Sequence, residues 1–459
     1  MKALWISGVV LLAGTAALTA AKEMPPAGGP PKPFHLPPTE EFSLTNGMRV
    51  TLVSYGSVPK VAVRAFVDAG GLYEPAGQVW IARLTALLMK EGTASRSAAK
   101  VARDAADMGG QLEIDAGAEF TTVGGIVLSD FGGKFVSLLA DVLENPALPE
   151  SELARLKADL ARELAVDKTV AGSEARARFL ETLFPGHPYG RVYPSNEALA
   201  GYTADNVRAF YRANFRAART HLYVAGKLDP GLRHAIRDAF NAWDKGAAPA
   251  DIPATPTKTR SFSLIDRPGA AQSTLYIGLP VADPTSADYV ALDVMNSLLG
   301  GSFASRITSN IRERKGYTYS PYSQVGTRKH LAFWLESADV TTAVTGPALG
   351  EIFAEIDRLR KEPPTAQELA GFQNYLAGLF VIRNTISADG LIGQLHFVDA
   401  QGLDRSYLST YVQKVMSIKP ADIQRVAETY IAPSRMAIVV VGDKAKIADQ
   451  LKPYQELEN

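Results

Sequence analysis

The sequence predicts an α+β protein built from two homologous, duplicated domains. Strand patterns and helix patterns occur in separate runs rather than in strict alternation, which is typical of α+β folds. Segments of the second half repeat segments of the first half, and the length of 459 residues exceeds what one hydrophobic core usually supports.

The composition is that of a globular protein that is not primarily a nucleic-acid binder. Apolar residues make up 46% and charged residues 21% of the chain. The 48 basic and 48 acidic residues balance to zero net charge, which argues against nucleic acid as the main partner. The sequence contains no cysteine, so disulfides and thiolate metal ligands are excluded.

Residues 1–21 have the pattern of a secretory signal peptide. Lys2 gives a basic start, residues 4–18 form a short apolar core, and Thr19-Ala20-Ala21 provides small residues for cleavage. The apolar run is short for a membrane span, so we expect export, to the periplasm of a bacterium, with no stable membrane anchor after cleavage. An uncleaved anchor is the alternative. Residues 22–40 are rich in Pro and Gly and predict an extended arm.

The first predicted domain covers residues 41–246. The turn signal Asn46-Gly47 predicts a hairpin between strands at 41–45 and 48–54. Alternating patterns predict further strands at 60–69, 111–116, 121–128 and 220–225. Helical patterns occur at 79–90, 98–108, 133–143, 150–167, 174–183 and 206–213.

An Ala- and Pro-rich linker at 247–262 separates this domain from a second one at 263–459. Strands are predicted there at 272–279, 319–325, 330–337 and 436–441. Helices are predicted at 286–299, 304–315, 344–360, 366–383, 406–415 and 421–430.

Two separate segments repeat at one offset of 216 residues. Glu152-Leu153-Ala154 matches Glu368-Leu369-Ala370, and residues 206–226 match residues 422–442 without gaps. Two well-separated matches at one offset indicate that the second domain is a duplicate of the first.

The stretch LLGGSFASRITSNIRERKGYTYSPYS at 298–323 is the most informative for function. The predicted helix at 304–315 ends at Gly316, a residue typical of left-handed helix caps, and a short β-prone run follows at 317–319. This places Arg312 in the last helical turn and Tyr319 at the start of the predicted strand, where both side chains can reach one space. Together they could bind a peptide carbonyl or an oxyanion. Alternatively, Arg312 complements the helix dipole and Tyr319 is a packing residue.

This stretch resembles the C-terminal homology domain of the pitrilysin-type (M16) zinc peptidases. In that family a Gly-rich segment and a helix lead to an R-x6-Y pair that contacts substrate, and the pair falls here on Arg312 and Tyr319. The resemblance covers about residues 42–441. It implies two homologous α+β domains that form one half of a clamshell-shaped chamber.

Active members of the family carry H-x-x-E-H on the first long helix, just before a Gly-Thr. His residues at positions i and i+4 share a helix face and can hold one Zn²⁺, while the Glu activates a water molecule. When the motif is aligned on Gly92-Thr93, its His, Glu and His positions are occupied by Arg83, Ala86 and Leu87. Arg83 is cationic and has no free lone pair, Ala86 offers no base, and Leu87 offers no ligand atom.

The resemblance also implies a further Glu ligand on a later helix. Glu163, in ARELAVD, is the nearest match, although the alignment could shift by one or two positions. Alternatively, Glu163 is an exposed helix charge. No two of the six histidines are three or four residues apart, and the resemblance gives His187, in HPYG, a structural role. No G-x-S-x-G occurs either. We therefore expect no catalytic residue and no metal in this chain alone.

Three functional hypotheses follow from the resemblance. In the first, the chain is the non-catalytic, substrate-binding subunit of a heterodimeric peptidase, and a zinc-bearing M16 homologue supplies the Zn²⁺. Peptides would then be the substrate. In the second, the chain is a structural or peptide-binding protein, like the core subunits of respiratory complexes. The third, an enzyme active alone, requires zinc to bind this chain stoichiometrically.

Overall fold

The computed structural model describes Gly29, Pro31 and residues 33–455. The predicted signal peptide and about half of the predicted arm, namely residues 22–28, 30 and 32, lie outside the described residues. Gly29 and Pro31 belong to a unit that ends at Lys32, and they adopt no regular secondary structure. Both α+β domains lie in the second unit, which begins at Pro33. Among the described residues, no helix combines the length and the apolar character needed to cross a bilayer.

The first domain is organised around a six-stranded sheet with the order β1-β2-β6-β3-β5-β4. Strands β2 and β6 pair in parallel, and the other neighbours are antiparallel. The strands are β1 (Thr39–Ser43), β2 (Arg49–Ser54), β3 (Lys60–Val67), β4 (Glu113–Ala116), β5 (Thr121–Leu128) and β6 (Thr220–Gly226). Strand β1 starts inside the predicted arm. The predicted first hairpin is present as the β1–β2 pair.

Eight α-helices lie in the first half of the described chain. They are α1 (Ile81–Met89), α2 (Ala98–Asp107), α3 (Gly132–Glu144), α4 (Glu150–Asp167), α5 (Ala171–Leu183), α6 (Asn196–Gly201), α7 (Ala204–Asn214) and α8 (Leu232–Phe240). Seven of them pack within the first domain, while α5 packs on the second sheet. Helices α1, α3, α4, α7 and α8 contribute side chains to the main core of the domain. All seven residues of β6 are buried, because this central strand is covered on both faces.

The second domain has a five-stranded sheet with the order β7-β11-β8-β10-β9. Its strands are β7 (Ser261–Asp266), β8 (Gln272–Val281), β9 (Tyr322–Arg328), β10 (Leu331–Thr341) and β11 (Ala437–Gly442). Its α-helices are α9 (Tyr289–Leu299), α10 (Thr345–Lys361), α11 (Ala366–Leu379), α12 (Ala388–Ala400), α13 (Ser406–Ser417), α14 (Pro420–Tyr430) and α15 (Lys444–Gln455). Strand β7 starts inside the predicted linker.

The two domains repeat one topology, which confirms the predicted duplication. The order β2-β6-β3-β5-β4 in the first sheet corresponds to β7-β11-β8-β10-β9 in the second. Helix α7 and helix α14 have the same length at the offset of 216 residues seen in the sequence. The first sheet differs only by its additional edge strand, β1.

One helix of each domain packs against the sheet of the other domain. Helix α5 packs on β8 and β11, where the ring of Phe179 lies 6.0 Å from the ring of Phe333. Helix α12 packs on β3 and β6, where His396 stacks on Phe66 at 3.7 Å between ring centroids. Separating the domains would therefore expose an apolar sheet face on both sides.

The structure corrects the prediction for residues 304–319. The predicted helix at 304–315 is a π-helix from Thr308 to Arg314, because its backbone register is set by buried contacts rather than by periodicity. Asn310, for example, donates hydrogen bonds of 2.9 Å to Glu351 and Glu355 of α10. Tyr319 does not lie in a strand, since β9 begins at Tyr322. Pro321 has no backbone N–H, so it cannot donate a hydrogen bond that would extend β9 toward Tyr319.

The predicted helix at 366–383 is also interrupted. Helix α11 ends at Leu379, and a π-helix follows from Phe380 to Thr385. Five of the strands and α-helices named above were not predicted, namely β7, α6, α8, α12 and α15. Helix α12 contains Gly390 and Gly393, which weaken its helical pattern.

Candidate functional site

Gly316, in the left-handed backbone conformation, sets the position of Arg312 relative to the segment that carries Tyr319. Gly316 has φ +65°, a backbone conformation that side chains other than glycine rarely adopt. Its N–H donates to the carbonyl of Arg312 at 3.1 Å, and the N–H of Tyr317 donates to the carbonyl of Ile311 at 2.8 Å. These bonds close the end of the π-helix and reverse the chain, as the Gly316 cap predicted.

The guanidinium of Arg312 lies between two exposed aromatic rings. Its central carbon is 4.9 Å from the ring centroid of Tyr319 and 4.4 Å from that of Phe303. Tyr319 is 78% exposed and Phe303 is 66% exposed, so both rings contact solvent. The structure therefore brings Arg312 and Tyr319 together, and it adds Phe303 to them. We call these three residues the aromatic clamp.

The polar groups of the aromatic clamp have few partners within the protein. The Nε of Arg312 forms an ion pair with Oε1 of Glu313 at 3.2 Å. Among residues 33–455, no hydrogen bond joins the guanidinium of Arg312 or the hydroxyl of Tyr319 to another side chain. These donors are therefore available to a bound ligand, and stacking restricts the orientation of the guanidinium plane.

Phe303 was not singled out from the sequence. It follows Gly300-Gly301 in a loop, where no helical or strand periodicity requires an apolar residue. A large aromatic residue at such a position, next to an R-x6-Y pair, is the signal that could have identified it.

The Gly-Gly segment of this loop rests on a buried polar cluster. A Cβ at Gly300 would lie 2.5 Å from Oε2 of Glu336, and one at Gly301 would lie 2.5 Å from Nδ2 of Asn296. Asn296 Oδ1 accepts hydrogen bonds from Ser323 Oγ at 2.8 Å and from Trp334 Nε1 at 3.0 Å. Glu336 is fully buried, and this burial raises its pKa well above the usual value. Only glycine fits this close approach, so the cluster fixes the loop that carries Phe303.

The degenerate zinc motif lies on α1 of the first domain. Arg83 Nη2 donates a hydrogen bond of 2.6 Å to Glu163 Oε2 on α4, and the guanidinium carbon of Arg83 lies 4.9 Å from the ring of Trp80. Ala86 is buried and Leu87 is half-buried. The structure thus brings Arg83 and Glu163 together.

These residues do not fit a zinc ion. A guanidinium is a permanent cation without a ligand lone pair, and neither alanine nor leucine has a donor atom. Within the part of the chain that the structure describes, no three His, Asp or Glu side chains are grouped so that they could hold a metal ion. His187 has both ring nitrogens engaged, since Nδ1 accepts from the N–H of Tyr189 and Nε2 lies 3.3 Å from the carbonyl of Ile252.

Two family models match the chain over adjoining segments. Residues 49–191 match the model described as Insulinase (Peptidase family M16), and residues 201–376 match the model described as Peptidase M16 inactive domain. The chain belongs to peptidase family M16. The second M16 match includes all three residues of the aromatic clamp.

Curated relatives and solved structures are similar to the chain over most of its length. A Streptomyces coelicolor protein described as an uncharacterized zinc protease is 23% identical over 423 residues, which is 89% of this chain and 91% of the relative. The crystal structure of a peptidase M16 inactive domain from Pseudomonas fluorescens gives a TM-score of 0.81 at 23% identity and covers 88% of this chain and 98% of that one. A protease from Helicobacter pylori gives 0.82 at 20% identity, covering 88% and 100%. These structural likenesses establish the fold.

Proposed function

We propose that this M16 chain is the substrate-binding, non-catalytic subunit of a two-chain peptidase. The observation that carries the proposal is the aromatic clamp, in which Arg312 and Tyr319 expose donors that the described residues of the chain do not use. The residues at the zinc-motif positions support the same proposal, because Arg83, Ala86 and Leu87 cannot bind or activate a metal-bound water. The chain would thus bind a peptide that it cannot cut.

The aromatic clamp is suited to an extended peptide. Arg312 can donate charge-assisted hydrogen bonds to a peptide carbonyl, and the hydroxyl of Tyr319 can donate to the carbonyl oxygen that gains negative charge during hydrolysis. Tyr319 lies three residues before β9, the edge strand of the second sheet. An edge strand has unpaired backbone groups, so a peptide could be held there as an additional strand.

The proposed partner is an M16 homologue with an intact H-x-x-E-H motif, joined to this chain as a heterodimer. The partner would supply the Zn²⁺ and its chemistry, while this chain would bind and orient the peptide. The secretory pattern of residues 1–21 supports export, and we propose the periplasm as the compartment.

A mixing experiment tests this function. The purified chain and a purified zinc-bearing M16 homologue from the same genome would be assayed separately and together on a fluorogenic peptide, with and without a chelator. We expect cleavage well above either chain alone only in the mixture, and its loss with the chelator. Tight assembly without any cleavage would instead support the structural or peptide-binding hypothesis. Cleavage by this chain alone would contradict the proposal.

A further inference from the structure

A cavity lies where helix α12 of the second domain covers the first sheet. It has a volume of about 290 Å³, and we call it the interdomain cavity. Its titratable lining residues are Arg49, Asp68, Arg219, His221, Tyr223, Lys329, His396 and Asp399. None of these residues belongs to the aromatic clamp or to the degenerate zinc motif.

The cations of the interdomain cavity are less well neutralised than its anions. Among residues 33–455, neither Arg49 nor Arg219 has a carboxylate within ion-pair distance. Arg219 is buried and donates instead to the backbone carbonyl of Asp68, at 2.9 Å from Nε. Lys329 has a distant ion pair of 3.8 Å with Asp251.

The carboxylates that line the same cavity already have partners. Asp399 Oδ2 accepts from the hydroxyl of Tyr223 at 2.5 Å and forms an ion pair of 3.0 Å with Arg405. Asp68 accepts from the hydroxyl of Tyr73 at 3.2 Å, and burial raises the pKa of Asp68. Asp68, like Arg49 and Arg219, has no oppositely charged side chain within ion-pair distance among the described residues. These two cations outnumber that one carboxylate, so the charge without an ion-pair partner is positive on balance, which favours an anionic ligand.

Two neutral imidazoles add hydrogen-bonding groups to this lining. His221 is buried, its Nε2 shares a hydrogen bond of 2.8 Å with Thr51 Oγ1, and its buried Nδ1 has no hydrogen-bond partner among the described residues. The nearest carboxylate oxygen, of Asp399, is 3.6 Å from Nδ1, beyond hydrogen-bond distance. Burial lowers the pKa of His221 to about 2 and that of His396 to about 3. Both rings are therefore neutral at physiological pH.

One wall of the interdomain cavity is aromatic. His396 stacks on Phe66, and Phe120 contacts the His396 ring edge-on at 4.5 Å between centroids. Both phenylalanines line the cavity. A purely inorganic anion would leave this wall without a contact, whereas an anion with an apolar group would cover it.

We propose that the interdomain cavity binds a small organic carboxylate that carries an aromatic or apolar group, such as the C-terminal residue of a peptide. The carboxylate interacts with Arg49 and Arg219, an imidazole contributes a hydrogen bond, and the apolar group packs on Phe66 and Phe120. Since residues of both domains line the cavity, the ligand also links them and stabilises the folded chain. This site does not depend on the peptidase function proposed above.

Calorimetric titration of the full chain with N-acetyl-L-phenylalanine tests the proposal. The matched control ligand is N-acetyl-L-phenylalaninamide, which keeps the ring and removes the charge. We expect the acid to bind at least about tenfold more tightly than the amide, as the loss of one charge-assisted hydrogen bond implies. Arg49→Gln should weaken binding of the acid by a similar factor, whereas Arg103→Gln, on the exposed surface of α2, should not.

A second measurement locates the ligand. The imidazole nitrogens of His221 and His396 should shift in NMR spectra of the wild-type chain when the acid is added, and should not shift with the amide at the same concentration. Equal binding of acid and amide, unchanged binding by Arg49→Gln, or unshifted imidazole signals would each overturn the proposal. Binding of inorganic phosphate with no binding of the acid would also overturn it.

Discussion

Arg83 and Glu163 form an ion pair between α1 and α4, with a hydrogen bond of 2.6 Å from Nη2 to Oε2. By the family resemblance, these two positions would both be zinc ligands in an active member. In this chain the guanidinium of Arg83 is the positive charge next to the carboxylate of Glu163. Neither side chain is therefore left as an isolated charge at this place in the fold.

The position of Glu163 opposite Arg83 predicts that a zinc site can be rebuilt. The double variant Arg83→His/Leu87→His places two imidazoles at i and i+4 on one face of α1, with Glu163 as a third ligand. We expect about one zinc ion per chain after dialysis, measured by elemental analysis, and almost none in the wild type. Adding Glu163→Gln should weaken zinc binding by at least about tenfold. A double variant that retains no more zinc than the wild type would show that α4 does not present Glu163 as a ligand.

The same ion pair should contribute little to stability. The side chains of Arg83 and Glu163 are 37% and 41% exposed, and pairs with such access to solvent are typically worth no more than about 1 kcal/mol. We expect Arg83→Ala to change the free energy of unfolding in urea by less than about 1 kcal/mol. Arg155→Ala, in an exposed ion-pair cluster of α4, is a matched control. A loss of several kcal/mol for Arg83→Ala alone would instead indicate a structural role.

Phe303 should contribute to turnover through the orientation of Arg312. A cation–π contact at an exposed site is worth about 0.5–1 kcal/mol, so Phe303→Ala should lower kcat/KM of the two-chain peptidase about two- to fivefold. Phe303→Tyr keeps the aromatic face and should retain activity. Because Phe303 is 66% exposed, the thermal stability of the variant should stay close to that of the wild type. Equal loss of activity in both variants would show that stacking is not the reason.

Glu336 should make stability fall as pH rises. Both of its carboxylate oxygens are buried without a hydrogen-bond partner in the described structure, and burial raises its pKa in the folded state. Above the pKa of an unfolded Glu, about 4.3, the unfolded chain releases a proton that the folded chain retains. The contribution of Glu336 is therefore fully present below that pH and is lost as the pH rises, by up to about 1.4 kcal/mol per pH unit.

Glu336→Gln removes this proton linkage and keeps the shape of the side chain. The free energy of unfolding in urea, variant minus wild type, should accordingly be greater at pH 8 than at pH 5. Glu313→Gln, at an exposed position of the π-helix, should show no such trend. If the difference in the free energy of unfolding between Glu336→Gln and wild type does not change with pH, the Glu336 carboxyl is not held protonated by burial.

The sequence predicted the duplicated fold because residues that form whole helices and strands recur at one offset. Helices α7 and α14 keep the same length at the same offset, and the same strand order occurs in both sheets. Arg312 and Tyr319 could be singled out because the stretch around them resembles the R-x6-Y segment of the M16 family, with Gly316 at the chain reversal between them. These features depend on local patterns, which a single sequence displays directly.

Other features depend on contacts between distant segments. The π-helix at Thr308–Arg314 follows from the buried bonds of Asn310 to α10, and a short helical pattern does not distinguish it from an α-helix. Helix α12 was missed because its glycines weaken the helical signal, and packing on the first sheet compensates for them. Sequence patterns alone could not place Phe303 against Arg312.

The most direct test of the account is Tyr319→Phe in a complex with a zinc-bearing M16 homologue. The substitution removes one hydroxyl from a side chain that is 78% exposed, so folding and assembly should be unchanged by size-exclusion chromatography. If Tyr319 donates to the oxygen that gains charge, kcat for peptide cleavage should fall by about 10²–10³, the usual loss for one such donor. Undiminished cleavage by the assembled Tyr319→Phe complex would contradict the role assigned to the aromatic clamp.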